Sequence, residues 1–144
     1  MIIYQVEPQH IDLVWSSVAP LLKKPLETGL EEVGLDDIKE WLKNQRQQLW
    51  LFLDEEEQKI IGACTTQIII YPNKRHLQIH LVGAKKNKLG EWMKEWPSVA
   101  ADFCKKNNIS NIEITAHRTG WERILSNKGY KKYYTVLVKE INDD

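Results

Sequence analysis

The segment HLVGAKKNKLGEW, residues 80–92, joins two regions whose apolar residues follow different periods. Before the loop, apolar residues alternate over residues 76–82, which predicts a β-strand. After it, apolar residues recur every three or four positions, which predicts an α-helix. The connection itself carries Gly83, Gly90 and three lysines. It is therefore either a loop that binds phosphate at the start of a helix or a solvated connection.

The helix that follows this loop is predicted to be long and to pack against the core along one stripe. That stripe consists of Leu89, Trp92, Met93, Trp96, Val99, Ala100 and Phe103. Pro97 lies within it, so we expect a kink there or two separate helices. Asn107 is expected to lie at its end, and residues 109–116 alternate as a further strand.

The same signals predict the remaining elements on both sides of this segment. Strands are predicted at residues 2–6, 50–53, 60–71 and 133–141, and helices from His10 to a stop at Pro25, from Asp36 onward, and at 121–128. Gly129 follows the last helix as its C-terminal cap. Trp15 and Trp41 lie on apolar faces of the first two helices and are expected in the core.

Length and composition place limits on the class of protein. The 144 residues fit a single domain, 1–144. Lys plus Arg and Asp plus Glu both number 20, so the net charge is zero, which argues against sequence-independent binding to nucleic acid. Cys64 and Cys104 lack the spacing of metal ligands, so no metal is predicted. No cationic leader and no membrane-length apolar run is present, so we expect a cytoplasmic protein without a membrane partner.

The order of the predicted elements resembles the GCN5-related N-acetyltransferase (GNAT) superfamily over essentially the whole chain. LFLDEEEQKIIGACTT is similar to that family's second hairpin, and WERILSNKGYKKYYTVLVKEI is similar to its C-terminal end. The form GWERILSNKGY is also similar to small GNAT-like proteins encoded by bacteriophages. The resemblance implies an α/β, GNAT-like (acyl-CoA N-acyltransferase) fold. Its sheet would be mixed, mostly antiparallel and twisted, with about six strands and helices on both faces.

The resemblance also implies where acetyl-CoA would bind. In the family, the loop after the fourth strand reads Gln/Arg-x-x-Gly-x-Gly/Ala, and its amides bind the pyrophosphate. The matching register here is KKNKLG, residues 85–90, with Lys88 at the position of the first glycine. The cofactor-binding residues implied are Val82, Gly83, Lys85, Lys88, Leu89, Gly90 and Arg118. The motif is half present, so a solvated lysine-rich loop stays an open alternative.

The catalytic residues of the family are only partly matched. Its usual tyrosine falls on Leu125 and its usual asparagine on Arg118. His80 is a candidate base, predicted to face opposite to Leu77, Ile79 and Leu81 on the fourth strand. Glu113 on the fifth strand is a second candidate base. For both, the simpler interpretation is a surface residue on a strand.

Two functions follow from these observations. The first is an N-acyltransferase that binds acetyl-CoA, or a related acyl-CoA, and acylates an amine acceptor. The second is a catalytically inactive binding or structural protein of the same fold with a protein partner, for example a phage accessory or virion-associated protein. No motif identifies the acceptor or the oligomeric state. Because fold does not imply function, the site must choose between them.

Overall fold

The computed structural model describes residues 1–28, 32–115 and 121–141. The strands are β1 (Ile2–Val6), β2 (Gln48–Asp54), β3 (Lys59–Ile70), β4 (Arg75–Ala84) and β5 (Asn111–Ile114). The helices are α1 (Ile11–Glu27), preceded by a single helical turn at Pro8–His10, α2 (Leu35–Lys43), α3 (Leu89–Lys106) and α4 (Trp121–Ser126). This is an α/β chain, as predicted.

The five strands form one mixed sheet in the order β1-β2-β3-β4-β5. The first four strands pair antiparallel, each with its neighbour in sequence. β5 pairs parallel to β4, and α3 is the crossover that a parallel pair requires. A mixed sheet, mostly antiparallel, is what the resemblance implies, and the described sheet has this arrangement.

Each face of the sheet buries its own hydrophobic core, because side chains along a strand alternate between faces. On one face, Trp92, Trp96 and Ala100 of α3 pack against Trp50 and Phe52 of β2. On the other face, the core consists of α1, α2 and sheet residues: Val6, Ile11, Val18, Leu22, Ile38, Leu42, Leu49, Leu51, Ala63 and Leu81. The predicted placement of helices on both faces is therefore confirmed.

An aromatic cluster fills the core beneath α3. The Trp50 and Trp96 rings meet edge to face with their centroids 5.3 Å apart, and Phe52 stacks on Trp92 at 5.6 Å. Phe103 meets Trp50 edge to face at 5.1 Å but is only half-buried. Such contacts add specificity to the burial of a large apolar area.

Two of the predicted core tryptophans lie at the surface of the second core. Trp15 and Trp41 are half-buried, and each has a cation over its ring. The Lys39 ammonium lies 5.9 Å from the Trp15 ring centroid, and the Arg46 guanidinium lies 4.3 Å from that of Trp41. Their outer faces are thus covered by long basic side chains and not by the core.

Neither long helix ends at a proline. α1 continues through Pro20 and Pro25 to Glu27, so the expected stop at Pro25 is wrong. α3 is likewise one helix with Pro97 inside it, so the alternative of two separate helices is wrong, and the kink stays a prediction. A proline removes a single N–H donor, and burial of a helix face can outweigh that loss. The carbonyl of Leu21 cannot accept the usual helical hydrogen bond, because Pro25 has no N–H.

The predicted strand at residues 133–141 is not a strand in the structure, so the described sheet has five strands where about six were expected. Tyr133 and Leu137 are 83% and 89% exposed. Their alternating pattern carries β-propensity, which is realised only where a side chain packs against a partner surface. The predicted C-terminal cap at Gly129 is confirmed. Gly129 has φ +91°, and the Tyr130 N–H donates to the Leu125 carbonyl at 3.1 Å.

A β-bulge at His80 interrupts β4. Thr65 and Thr66 are adjacent on β3, but they oppose Leu81 and Ile79, which leaves His80 as the extra residue. The bulge moves Leu81 to the core beneath α1, whereas Ile79 lies beneath α3. The prediction that Ile79 and Leu81 share one face of the strand is therefore wrong. A bulge has no signature in the alternating pattern.

Gly83 and Gly90 provide a matched test of this packing. A β-carbon at Gly83 would overlap the Leu21 carbonyl of α1, whereas one at Gly90 would meet nothing within 4 Å. We predict that Gly83→Ala lowers the free energy of unfolding by about 1–3 kcal/mol or more, as overpacking does. Gly90→Ala should be neutral or slightly stabilising. Denaturant unfolding of both variants measures this, and equal stability would contradict the α1–β4 contact.

Candidate functional site

A cleft opens where β4 and β5 separate. Their pairing covers only residues 76–79 of β4 and 111–114 of β5, although β4 continues to Ala84. The cleft has a volume of about 240 Å³. It is lined by Pro20, Leu21, Lys24, Pro25, Thr28, His80, Val82, Gly83, Ala84, Leu89, Ile114, Thr115 and Trp121. Ligands bind where neighbouring strands of an α/β sheet diverge at their carboxyl ends.

Two backbone N–H groups of β4 point toward this cleft. The Lys85 N–H donates to the Ile61 carbonyl at 2.8 Å, in register with the pairing of Gly62 and Ala84. Residues of an antiparallel ladder alternate between bonding to the partner strand and facing away from it. Counting back from Lys85, Ala84 and Val82 direct their N–H groups away from β3. They face the side from which β5 has separated.

The loop before α3 presents further donors. Residues 85–88 form a tight turn in which the Lys88 N–H donates to the Lys85 carbonyl at 3.1 Å, and Asn87 has φ +66°. The first intrahelical bond of α3 runs from the Trp92 N–H to the Lys88 carbonyl at 3.3 Å. The first-turn N–H groups of residues 89–91 precede this bond, and Lys88 supplies no side-chain cap. Such a helix start attracts anions.

The three lysines of the loop differ in their surroundings. Lys85 and Lys86 are exposed on the turn. Lys88 is half-buried, and its ammonium lies 3.6 Å from the Glu91 carboxylate. Gly90, which follows in the first turn of α3, is exposed with open space around it. Positive charge and an unobstructed backbone thus lie side by side, and the charge of Lys88 is partly neutralised.

Gly83 occupies the point at which α1 crosses β4. The space that a side chain would take is filled by the carbonyl of Leu21. This is the same carbonyl that Pro25 leaves without its usual helical donor. Gly83 therefore lets α1 close one wall of the cleft. The sequence analysis gave this glycine only as a residue of the loop and as an implied cofactor contact.

His80 lines the cleft and contacts a residue that sequence reasoning missed. Its Nδ1 lies 3.1 Å from Nε2 of Gln47, a buried residue just before β2. The Gln47 amide also lies 3.3 Å from Oε1 of Gln67. A buried polar side chain before a strand gives no periodic signal, so only the folded chain shows this pair.

Glu113, the other candidate base, belongs to a different cluster. Its carboxylate accepts a hydrogen bond from the Tyr71 hydroxyl at 3.0 Å and lies 3.6 Å from Nδ1 of His76. The hydrogen bond from Tyr71 to this carboxylate raises the pKa of Tyr71. The structure thus does not bring Glu113 and His80 together. Arg118 lies outside the described residues.

Leu125, where the resemblance places the family's tyrosine, is a buried core residue. Tyr130 is half-buried, and desolvation raises its pKa, with Cys64 and Cys104 adding to the effect.

Within residues 1–28, 32–115 and 121–141, no group of three or more His, Cys, Asp or Glu side chains could hold a metal ion. No helix in this part of the chain is long and apolar enough to cross a membrane.

The thiols provide a test of this arrangement. Burial raises the pKa of both Cys64 and Cys104, so the reactive thiolate should form only well above the usual pH for cysteine. We predict that the native protein reacts with a thiol reagent far more slowly than the denatured protein, with no rise in rate up to about pH 9. Rapid labelling of Cys64 in the folded protein would contradict its place in the core.

Solved structures with a similar fold include several acetyltransferases. A probable acetyltransferase has a TM-score of 0.73 at 16% identity, with 100% of both chains covered. The ribosomal-protein-alanine N-acetyltransferase from Brucella melitensis biovar Abortus 2308 has a TM-score of 0.70 at 16% identity, over 98% of this chain and 100% of that one. An aminoglycoside acetyltransferase from an uncultured soil metagenomic sample, in complex with sisomicin, has a TM-score of 0.71 at 10% identity, over 98% and 96%.

Sequence comparison adds nothing to this likeness. No family model matches the chain, and no curated protein matches it. At such low identities, structural similarity shows a shared fold but does not identify the substrate. The parallel β4–β5 pair, the α3 crossover and the structural neighbours agree with one another, and the chain therefore has the fold of the GNAT acetyltransferases.

Proposed function

We propose that this protein is an N-acetyltransferase that binds acetyl-CoA in the cleft between β4 and β5 and acetylates an amine. One observation carries the proposal. The separation of the two strands places outward-facing N–H groups of Val82 and Ala84 beside the uncapped start of α3. A thioester carbonyl and a pyrophosphate are the acceptors that such donors suit.

In this proposal the pyrophosphate lies on the first turn of α3. The N–H groups of residues 89–91 bind its oxygens, and the exposed Lys85 and Lys86 supply charge. Lys88 contributes less charge because Glu91 lies beside its ammonium. Gly90 leaves room for a phosphate to approach the backbone. Arg118 stays a predicted phosphate ligand.

The proposed chemistry is direct transfer. The neutral amine attacks the thioester carbonyl, the C–N bond forms, and the C–S bond breaks. The amine loses one proton, and the leaving CoA thiolate gains one. The Val82 N–H stabilises the oxyanion of the tetrahedral intermediate. The imidazole of His80 lies along the cleft. The proposal gives no step to Glu113, whose carboxylate already engages Tyr71 and His76.

Two observations favour the alternative of a catalytically inactive binding protein. Leu125 is buried at the position where the resemblance places the tyrosine that protonates the leaving thiolate. The exposed apolar side chains of residues 133–141 would suit a protein partner. In this alternative, which includes the phage accessory and virion-associated roles, the cleft binds acyl-CoA without turnover or binds none.

Calorimetry with acetyl-CoA tests the binding site. We predict saturable binding that weakens as salt rises, because exposed charges are screened over a Debye length of about 8 Å near physiological ionic strength. Changing Lys85 and Lys86 together to glutamate should abolish binding. The matched control changes Lys105 and Lys106, exposed at the opposite end of α3, to glutamate and should leave the affinity within about twofold.

The outcomes separate the two functions. Binding with release of free CoA in the presence of a panel of amines supports the acetyltransferase. Binding without turnover on any amine supports the inactive protein. Absence of binding at millimolar acetyl-CoA, or equal loss in both double variants, would contradict the proposed site.

A further inference from the structure

We propose that Gln47 is a positioning residue that holds His80 with the proton of its neutral ring on Nε2. His80 then serves the cleft as a hydrogen-bond donor and not as a general base. The inference deepens the proposed function and rests on it for its catalytic meaning. Its structural content stands on the contacts of the two side chains.

The backbone fixes Gln47 before its side chain makes any contact. The residue is 3% exposed, between the end of α2 and the start of β2. Its N–H donates to the Trp41 carbonyl at 3.1 Å, which ties the loop to α2. From this anchored position the side chain reaches Gln67 on β3 and His80 on β4. A buried, tethered amide has little freedom to change partners.

The number of donors and acceptors determines the orientation of this amide. A primary amide has two N–H donors. The Gln47 nitrogen lies 3.1 Å from Nδ1 of His80 and 3.3 Å from Oε1 of Gln67, so both donors reach an acceptor. Oε1 of Gln47 is the atom left without a partner among the described residues. The reversed amide would instead bury two unpartnered N–H groups, which costs more than one unpartnered carbonyl oxygen.

The chemistry of the imidazole follows from this orientation. A ring nitrogen that accepts a hydrogen bond carries no proton, so in the neutral ring the proton lies on Nε2. The bulge at His80 gives the ring its place at the cleft. Such a ring can donate to the thioester oxygen or to the leaving sulfur, beside the Val82 N–H. The proton of the amine then passes to water and not to Nδ1.

Long-range ¹H–¹⁵N NMR reads the tautomer directly. The chain has four histidines, and the spectrum of His80→Asn assigns the resonances of His80. At a pH where the ring is neutral, the wild-type protein should show the pattern of a ring protonated on Nε2. A ring protonated on Nδ1 would overturn the inference, even if no variant folded.

Two variants test whether Gln47 causes this state. In Gln47→Glu the carboxylate only accepts hydrogen bonds, so the proton of His80 should move to Nδ1. In Gln47→Leu the ring loses the hydrogen bond from Gln47, and its preference for the proton on Nε2 should weaken. Gln5→Glu, exposed on β1, is the matched control and should leave the wild-type pattern. An unchanged tautomer in Gln47→Glu would show that Gln47 does not position the ring.

The spectra are recorded without acetyl-CoA, so they do not depend on the proposed function. If the predicted tautomer is found but acetyl-CoA does not bind, the proposed function fails and the Gln47–His80 pairing stands. If the enzyme is active, Gln47→Glu should lower kcat roughly five- to tenfold, the effect of one lost neutral hydrogen bond, with KM for acetyl-CoA unchanged. A change in KM alone would contradict a role in the reaction.

Discussion

The crossing of α1 over β4 at Gly83 is the constraint on which the site depends. The Leu21 carbonyl lies where any side chain at residue 83 would be, so the helix backbone rests directly on the strand. β5 accompanies β4 only as far as Ile79, and the remainder of β4 contacts α1 on one face and the cleft at its edge. A larger residue at 83 would push the helix outward and change the wall of the cleft.

The bulge at His80 has a second consequence for the same strand. It reverses the faces of the residues that follow, so β4 contributes Ile79 to the core beneath α3 and Leu81 to the core beneath α1. Thr65 replaces the missing ladder bond, since its hydroxyl accepts from the Leu81 N–H at 3.1 Å. One extra residue thus joins two cores and orients the imidazole. Bulges are common beside functional sites for this reason.

Much of the architecture could be predicted because it follows from periodicity. The tryptophan stripe of α3 and the alternation of β4 are local patterns that predict a helix and a strand, whereas the parallel pairing of β4 with β5 is what the resemblance implies. The bulge, the Gly83 crossing and the partner of His80 depend on residues distant in sequence, so no local pattern reports them. The predicted helix end at Pro25 was wrong because burial of a helix face outweighs the loss of one N–H donor. The predicted strand at residues 133–141 was wrong because β-propensity is realised only against a partner surface.

The central claim is that backbone donors around the β4–β5 cleft bind acyl-CoA. An ¹H–¹⁵N spectrum followed through a titration with CoA tests it residue by residue. We predict saturable shifts for the amides of Val82, Ala84 and residues 89–91, with the amides of α2, which packs on the face of the sheet opposite α3, unchanged. Absence of saturable shifts at these amides, or shifts confined to lysines away from the cleft such as Lys131, would contradict it.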